Sequence, residues 1–351
     1  MILDGLSVPI VLAPPAGGPA TPQLAAAVSE AGGLGFLASG YLTGDALRQR
    51  VAEIRELTAK PFGVNVFVPG RATPPEQFGA YVAELVPEVR RAGVEPGEPR
   101  FDDDDWEAKL AWLRTDPVPV VSFTFGCPAA DVVSDLQRSG SEVWVTVTDV
   151  EEAAAAVSAG SDALVVQGSE AGGHRGSFID DSRNDLIDGL SLLSLLQLLC
   201  GTVPVPMVAA GGLATGAGIA GILCAGAAAV QLGTAFLRCP EAGTSPVHRK
   251  AVATDVPTGM TRAFTGRLAR GISNRFLADH TRGAASGYPE IHHVTSPLRR
   301  AGLASGDGDV VNLWAGQTHS LARELPAGDL VRVLDLEARA AAADLARRMP
   351  T

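Results

Sequence analysis

The stretch VVQGSEAGGHRGSF, Val165 to Phe178, sets an amide (Gln167), a carboxylate (Glu170), two adjacent glycines (Gly172, Gly173) and an imidazole (His174) directly after an apolar run. Imidazole titrates near neutrality and can act as a general base, and paired glycines let backbone come close to a small ligand. The alternative is an ordinary loop histidine bonded to backbone. The Gly-Gly pair and the strand end behind it favour a base that faces a ligand. Gln167 is either a core amide bonded to neighbouring backbone or a donor to a ring carbonyl or nitrogen of a cofactor. Asn65, midway along FGVNVFV, poses the same choice, because a polar side chain in an apolar strand needs a partner. Two such amides converging on one mouth favour a flat heteroaromatic ligand. Glu170 and Arg175 read as loop supports.

Two further segments carry anion chemistry. AAGGLATGAGIAG puts Gly211 and Gly212 at the end of an apolar run, before a helical pattern whose N-terminal amides are expected to be free for an anion. QLGT puts Gly233 and Thr234 at the end of the next run. As turn formers, with Thr234 capping the following helix, either pair would mean little. Together, at two successive strand ends, they point to phosphate.

These residues need a scaffold that aims them at one place. Eight short apolar runs recur: Pro9–Pro14, Leu34–Ser39, Phe62–Val68, Val118–Gly126, Glu142–Val147, Asp162–Gly168, Met207–Gly212 and Ala229–Leu237. They are nearly continuous in apolar character, as parallel strands buried on both faces are, and helical patterns separate them. In the first crossover Thr21 suits an N-cap, Pro22 the first helical position and Gly32 a left-handed C-terminal cap. The expectation is an α/β fold: a (β/α)8 TIM barrel over residues 1–240 with a smaller helical lid domain. Residues 69–116 are expected to form a peripheral helical excursion whose acidic run, Asp102–Asp105, is solvated surface. Residues 241–320, which hold five of the six histidines, are expected to form the helical lid, and 321–351 a helix packing back on the barrel.

Composition narrows the function classes. Lys and Arg total 28 against 39 Asp and Glu, a net charge of −11, and no basic block suits nucleic acid. Cys127, Cys200, Cys224 and Cys239 form no C-x-x-C pair and read as reduced core thiols of a cytoplasmic protein. Neither a signal peptide nor a membrane span is apparent. His292 and His293 lack a third ligand spacing, so no metal site is indicated. Nucleotide-binding P-loop, G-x-S-x-G and Rossmann signatures are absent.

The segments PIVLAPPAGGPATPQLAAAVSEAGGLGFLASG, PFGVNVFVP, DALVVQGSEAGGHRG, PMVAAGGLATGAG, VQLGTAFLRCPEAG and LWAGQ together resemble the nitronate monooxygenases, in particular the bacterial class acting on propionate 3-nitronate. The resemblance spans Pro9 to about Gln317. It implies noncovalent FMN held by Ala13, Pro14, Asn65, Gln167, Gly172, Gly173, Gly211, Gly212, Gln231, Leu232, Gly233 and Thr234, with the phosphate at the last group. It implies His174 as the catalytic histidine, and a nitronate and O2 as the small-molecule partners of a monomer or homodimer. Pro15 and Thr124 stand where the family commonly shows methionine and histidine; both are expected to face substrate. A flavin-dependent enoyl-thioester reductase or quinone reductase shares the barrel and the glycine loops but requires a nicotinamide donor. A noncatalytic flavin-binding module is the reading outside enzymes.

Overall fold

The structure, a computed structural model, describes residues 1–180 and 189–349. Eight residues of the expected barrel and the last two of the expected 321–351 segment lie outside these. The strands are β1 (Ile10–Leu12), β2 (Gly35–Ala38), β3 (Phe62–Phe67), β4 (Val120–Thr124), β5 (Glu142–Val147), β6 (Ala163–Gln167), β7 (Gly173–His174), β8 (Met207–Ala210), β9 (Ala229–Leu232), β10 (Thr258–Thr261) and β11 (Ala269–Ile272). Eight of them form one sheet in the order β1-β9-β8-β6-β5-β4-β3-β2. Every pairing in it is parallel, and a bridge between Val11 and Leu34 joins its two ends. This is a TIM barrel.

Each expected run contains one barrel strand, cut short by backbone geometry. Gly211 and Gly212 turn away after β8 with φ of +132° and +63°, and Phe125 ends β4 with φ of +77°. In the first crossover Thr21 Oγ1 accepts from the Leu24 N–H at 3.0 Å, Pro22 opens the helix and Gly32 sits at φ +93°. A Cβ on Gly35 would lie 2.0 Å from the Ala25 carbonyl oxygen, so glycine is what lets β2 lie against that helix.

The continuous apolar character of the runs has a direct cause. Val11, Leu34, Phe36, Val120, Trp144, Val165 and Val208 form one cluster, partly covered by Ile2, Leu3 and Leu6. Their strand neighbours pack into a larger cluster with the surrounding helices. Both faces of the strands are therefore buried.

The lid differs from the sequence expectation in two respects. Residues 241–320 are not wholly helical: β10 and β11 pair antiparallel, and β11 pairs with β7, so the strand carrying His174 belongs to a small three-stranded sheet. The 69–116 excursion is not peripheral either. Phe78, Tyr81, Leu85 and Val89 pack with Phe264, Phe276, Ile291 and Val294 into a second core, and Tyr81 donates to the Ala263 carbonyl at 2.6 Å. Its proline and acidic content masked an apolar stripe that buries against the lid.

The acidic run is also only partly solvated. Asp104 pairs with the fully buried Lys109 at 2.6 Å and accepts from the Tyr41 N–H at 2.7 Å, while Asp105 accepts from the Gly44 N–H at 2.6 Å. Burial pushes the Asp104 carboxyl up to about 6. The thiols also depart from expectation: Cys239 is buried, but Cys200 and Cys224 are exposed. The helix Ala327–Arg348 packs along the helix Gly216–Cys224, and no described helix is long and apolar enough to cross a membrane.

Candidate active site

A cavity of about 600 Å³ opens at the C-terminal ends of the barrel strands, under the lid. Ala13, Pro14, Pro15, Asn65, Thr124, Gln167, Gly172, Gly173, His174, Gly211, Gly212, Gln231, Leu232, Gly233 and Thr234 all line it. The volume suits a small cofactor together with a substrate.

The glycine loops present backbone donors. Among the described residues, no protein acceptor takes the N–H of Gly211, Gly212, Gly233 or Thr234. These residues are half-buried, and a row of free N–H groups at a cavity wall suits an anion such as phosphate. The Thr234 hydroxyl accepts from the Gly316 N–H at 3.0 Å and does not cap the following turn. Two of the first three amides of the helix after β8 are not free, contrary to expectation. Thr215 Oγ1 accepts from the Gly218 N–H at 3.2 Å, and Glu337 accepts from the Gly216 N–H at 3.1 Å. A carboxylate from the last helix thus sits at this N-terminus, which disfavours a second anion there.

The amides divide. Gln167 is bonded to its own loop at both ends: Nε2 donates to the His174 carbonyl at 3.1 Å and Oε1 accepts from the Gly176 N–H at 2.8 Å. It takes the backbone-bonded alternative and fixes the loop that carries His174. Asn65 Oδ1 accepts from Ser122 at 2.8 Å and Thr124 at 3.0 Å, and its Nδ2 has no protein acceptor among the described residues. Gln231 is buried, lines the cavity and likewise has no described protein partner for its side chain. Arg175 donates to the carbonyls of Gln167 and Thr148, and Glu170 accepts from the Leu192 N–H, so both are loop supports. Gly172 differs in purpose from its neighbour. A Cβ there would lie 2.4 Å from the Ala315 carbonyl carbon, whereas at Gly173, φ +78°, it would meet nothing.

His174 stands at the junction of barrel and lid. Its Nε2 lies 2.9 Å from Thr265 Oγ1, and the rings of Phe125, Tyr288 and Trp314 surround it with centroids at 5.7, 5.6 and 5.5 Å. Burial, with the positive charges of Arg267 and Arg299 nearby, pushes the imidazole down to about 3. It is therefore neutral at physiological pH.

Sequence reasoning missed the lid wall. Arg299 lines the cavity and meets no carboxylate among the described residues; it donates to the His292 carbonyl at 2.9 Å, to His292 Nδ1 at 3.2 Å and to Asn312 Oδ1 at 3.4 Å. Burial pulls it down to about 10, so it still carries its charge at neutral pH. Tyr41 stacks on His292 at 4.4 Å, and the Tyr288 hydroxyl donates to that of Tyr41 at 3.3 Å. Arg267 lies 3.9 Å over the Phe125 ring. The HH pair was the one available signal, and it pointed to a metal question. Among the described residues no cluster suits a metal ion.

The nitronate monooxygenase family profile matches residues 2–337. The chain belongs to that family. It is accordingly an oxidoreductase, similar to the nitronate monooxygenase of Pseudomonas aeruginosa, with 42% identity over 96% of this chain and 98% of the relative. The solved nitroalkane oxidase of Streptomyces ansochromogenes is 49% identical, with a TM-score of 0.96, covering 98% of this chain and 99% of that one. FabK from Thermotoga maritima is more distant: 27% identity and a TM-score of 0.77, over 99% and 97% of the two chains.

Proposed function

We propose that the protein is an FMN-dependent nitronate monooxygenase that oxidises anionic nitronates such as propionate 3-nitronate with O2, giving a carbonyl product with nitrite and nitrate and consuming no nicotinamide. One observation carries this reading: a single cavity joins backbone donors at the ends of β8 and β9 that have no acceptor among the described residues to a neutral imidazole and an arginine that meets no carboxylate among them. FMN fits the residues present. The N–H groups of Gly211, Gly212, Gly233 and Thr234 would hold its phosphate, and Asn65 Nδ2 and the Gln231 amide would meet the polar edge of its ring. Ala13, Pro14 and Leu232 would supply the apolar wall. When bound, FMN supplies the two-electron acceptor that none of the side chains provides.

The chain's own residues bind and orient the substrate. His174, neutral at pH 7, offers a ring nitrogen to the substrate, and Arg267 and Arg299 supply the positive field that favours an anion there. The lone pair of that neutral ring can take the α-proton of a neutral nitroalkane, and the two arginines favour the nitronate anion that results. Arg299 is the partner for a second negative charge, such as the carboxylate of propionate 3-nitronate. Thr124, which stands where the family commonly shows histidine, is engaged in holding Asn65. The thiols, free among the described residues, fit a cytoplasmic setting.

Oxygen uptake by the FMN-loaded protein on adding propionate 3-nitronate, without nicotinamide, tests this. Uptake with nitrite release is expected. Absence of uptake, together with NADPH oxidation by enoyl thioesters or quinones, would move the assignment to the reductases that share this barrel.

A further inference from the structure

The hydroxyl of Thr265 is the only polar side-chain group within hydrogen-bonding distance of the His174 ring among the described residues. It sits in the tight turn 262–266, where Thr265 and Gly266 both donate to the Arg262 carbonyl, at 3.1 and 2.8 Å, and it is 1% exposed. Three groups converge on its oxygen: His174 Nε2 at 2.9 Å, the Arg267 carbonyl at 3.3 Å and the Arg267 N–H at 3.4 Å.

A hydroxyl has one proton to donate and two lone pairs to fill. The Arg267 carbonyl has no other donor among the described residues, and Arg267 is buried, so the Thr265 proton goes there. One lone pair takes the Arg267 N–H. The other is left for His174, which must then donate from Nε2. Every valence of the hydroxyl is filled in this arrangement. In the opposite tautomer, Thr265 would donate to Nε2, the Arg267 carbonyl would be bare and one lone pair would go unused, a double loss in a buried turn.

We propose that Thr265 is a positioning residue that holds His174 as the Nε2–H tautomer and so presents the bare Nδ1 lone pair to the cavity. This rests on the assignment of His174 as the residue that meets the substrate. Nδ1 has no protein partner among the described residues, and the surrounding rings of Phe125, Tyr288 and Trp314 offer it none. The backbone of His174 is held independently, by the β7–β11 pairing and by Gln167. Thr265 therefore acts on the proton and the ring angle rather than on the course of the chain.

The test compares Thr265→Val with Thr265→Ser in the FMN-loaded protein. Nitrogen NMR of histidine-labelled protein reads which ring nitrogen of His174 carries the proton, with His174→Gln assigning the signals. The wild type and Thr265→Ser are expected to show protonated Nε2 and bare Nδ1. Thr265→Val is expected to show a mixture or the reverse, with kcat/KM for a neutral nitroalkane lowered about tenfold, less than the roughly 10²–10⁴-fold worth of a positioned base. Serine should restore it to within about twofold, because the hydroxyl is retained. Protonated Nδ1 in the wild type would overturn the proposal, as would an unchanged tautomer in a folded Thr265→Val. If instead His174→Gln leaves turnover intact, the assignment of His174 itself falls, a result distinguishable from either of these.

Discussion

The two walls of the cavity are built from different materials. The barrel wall, at the ends of β8 and β9, is glycine backbone: uncharged and donor-rich, with Gly211 and Gly212 at positive φ. The lid wall is side chains, His292, Arg299 and Trp314, joined by Tyr41 from the loop after β2, aromatic and cationic and drawn from segments far apart in sequence. His174 lies between them, on a strand that pairs with the lid sheet although it follows directly from barrel strand β6. Backbone donors fixed by strand geometry suit a resident group that every turnover needs in the same place. Long side chains on a separate core suit selection among substrates. Under the proposed function, the first wall would retain the cofactor and the second would choose the substrate.

Removing the residue between the walls has the largest expected effect. His174→Gln should lower kcat/KM for a neutral nitroalkane by roughly 10²–10⁴-fold while flavin remains bound; loss of flavin from that variant would place the histidine with the barrel wall instead. Next is the barrel wall itself. Valine at Gly212 would have to adopt φ near +63° with its Cβ 2.9 Å from the Glu170 Cβ. Strain of about 1–3 kcal/mol should weaken FMN binding about tenfold or more, read by fluorescence titration, with discrimination among nitronates unchanged in the fraction that stays loaded.

The pH response comes third. His174 and His248 are held down to about 3 and about 4 by burial, from 6.5 in the open chain. Between those values the unfolded chain binds protons that the native state refuses. Their contribution to stability is therefore full above about pH 6.5 and is lost as pH drops through this window, by up to about 1.4 kcal/mol per pH unit for each histidine, while the raised Asp104 carboxyl acts in the opposite sense below about pH 6. Urea midpoints should be lower at pH 5 than at pH 7, and less so in His174→Gln. Over the same range His174 itself should give kcat/KM no acid limb. The smallest effect is at Glu337. Glu337→Gln weakens a half-exposed contact to the Gly216 N–H and to Arg323, costing about 1 kcal/mol or less, and should leave FMN affinity untouched. A fall in affinity would return the helix N-terminus to the phosphate site.

The same division explains what the sequence revealed. Strand ends announce themselves through glycines that follow apolar runs, so Gly211, Gly212, Gly233 and Thr234 were legible, as was His174 beside its Gly-Gly pair. The lid wall carries no such local signal. Arg299 is one arginine on an amphipathic helix, Glu290–Ser305, and only the packing of that helix against the 69–116 segment turns it toward the cavity. Gln167 was legible as a polar group needing a partner, but not which partner: the loop that returns through Gly176 supplies both. The Gly216 helix looked open to an anion because its acidic cap, Glu337, lies 121 residues away.

Arg299→Met tests the division most directly, since it removes a cavity-lining charge that meets no carboxylate among the described residues and keeps its bulk. In one preparation, FMN affinity and the KM values for propionate 3-nitronate and for an uncharged-chain nitronate of similar length would be measured together. The account predicts unchanged FMN affinity and a KM raised roughly tenfold or more for the carboxylate-bearing substrate alone, the worth of a charge-assisted hydrogen bond. An equal rise for both substrates, or loss of FMN with neither affected, would contradict it.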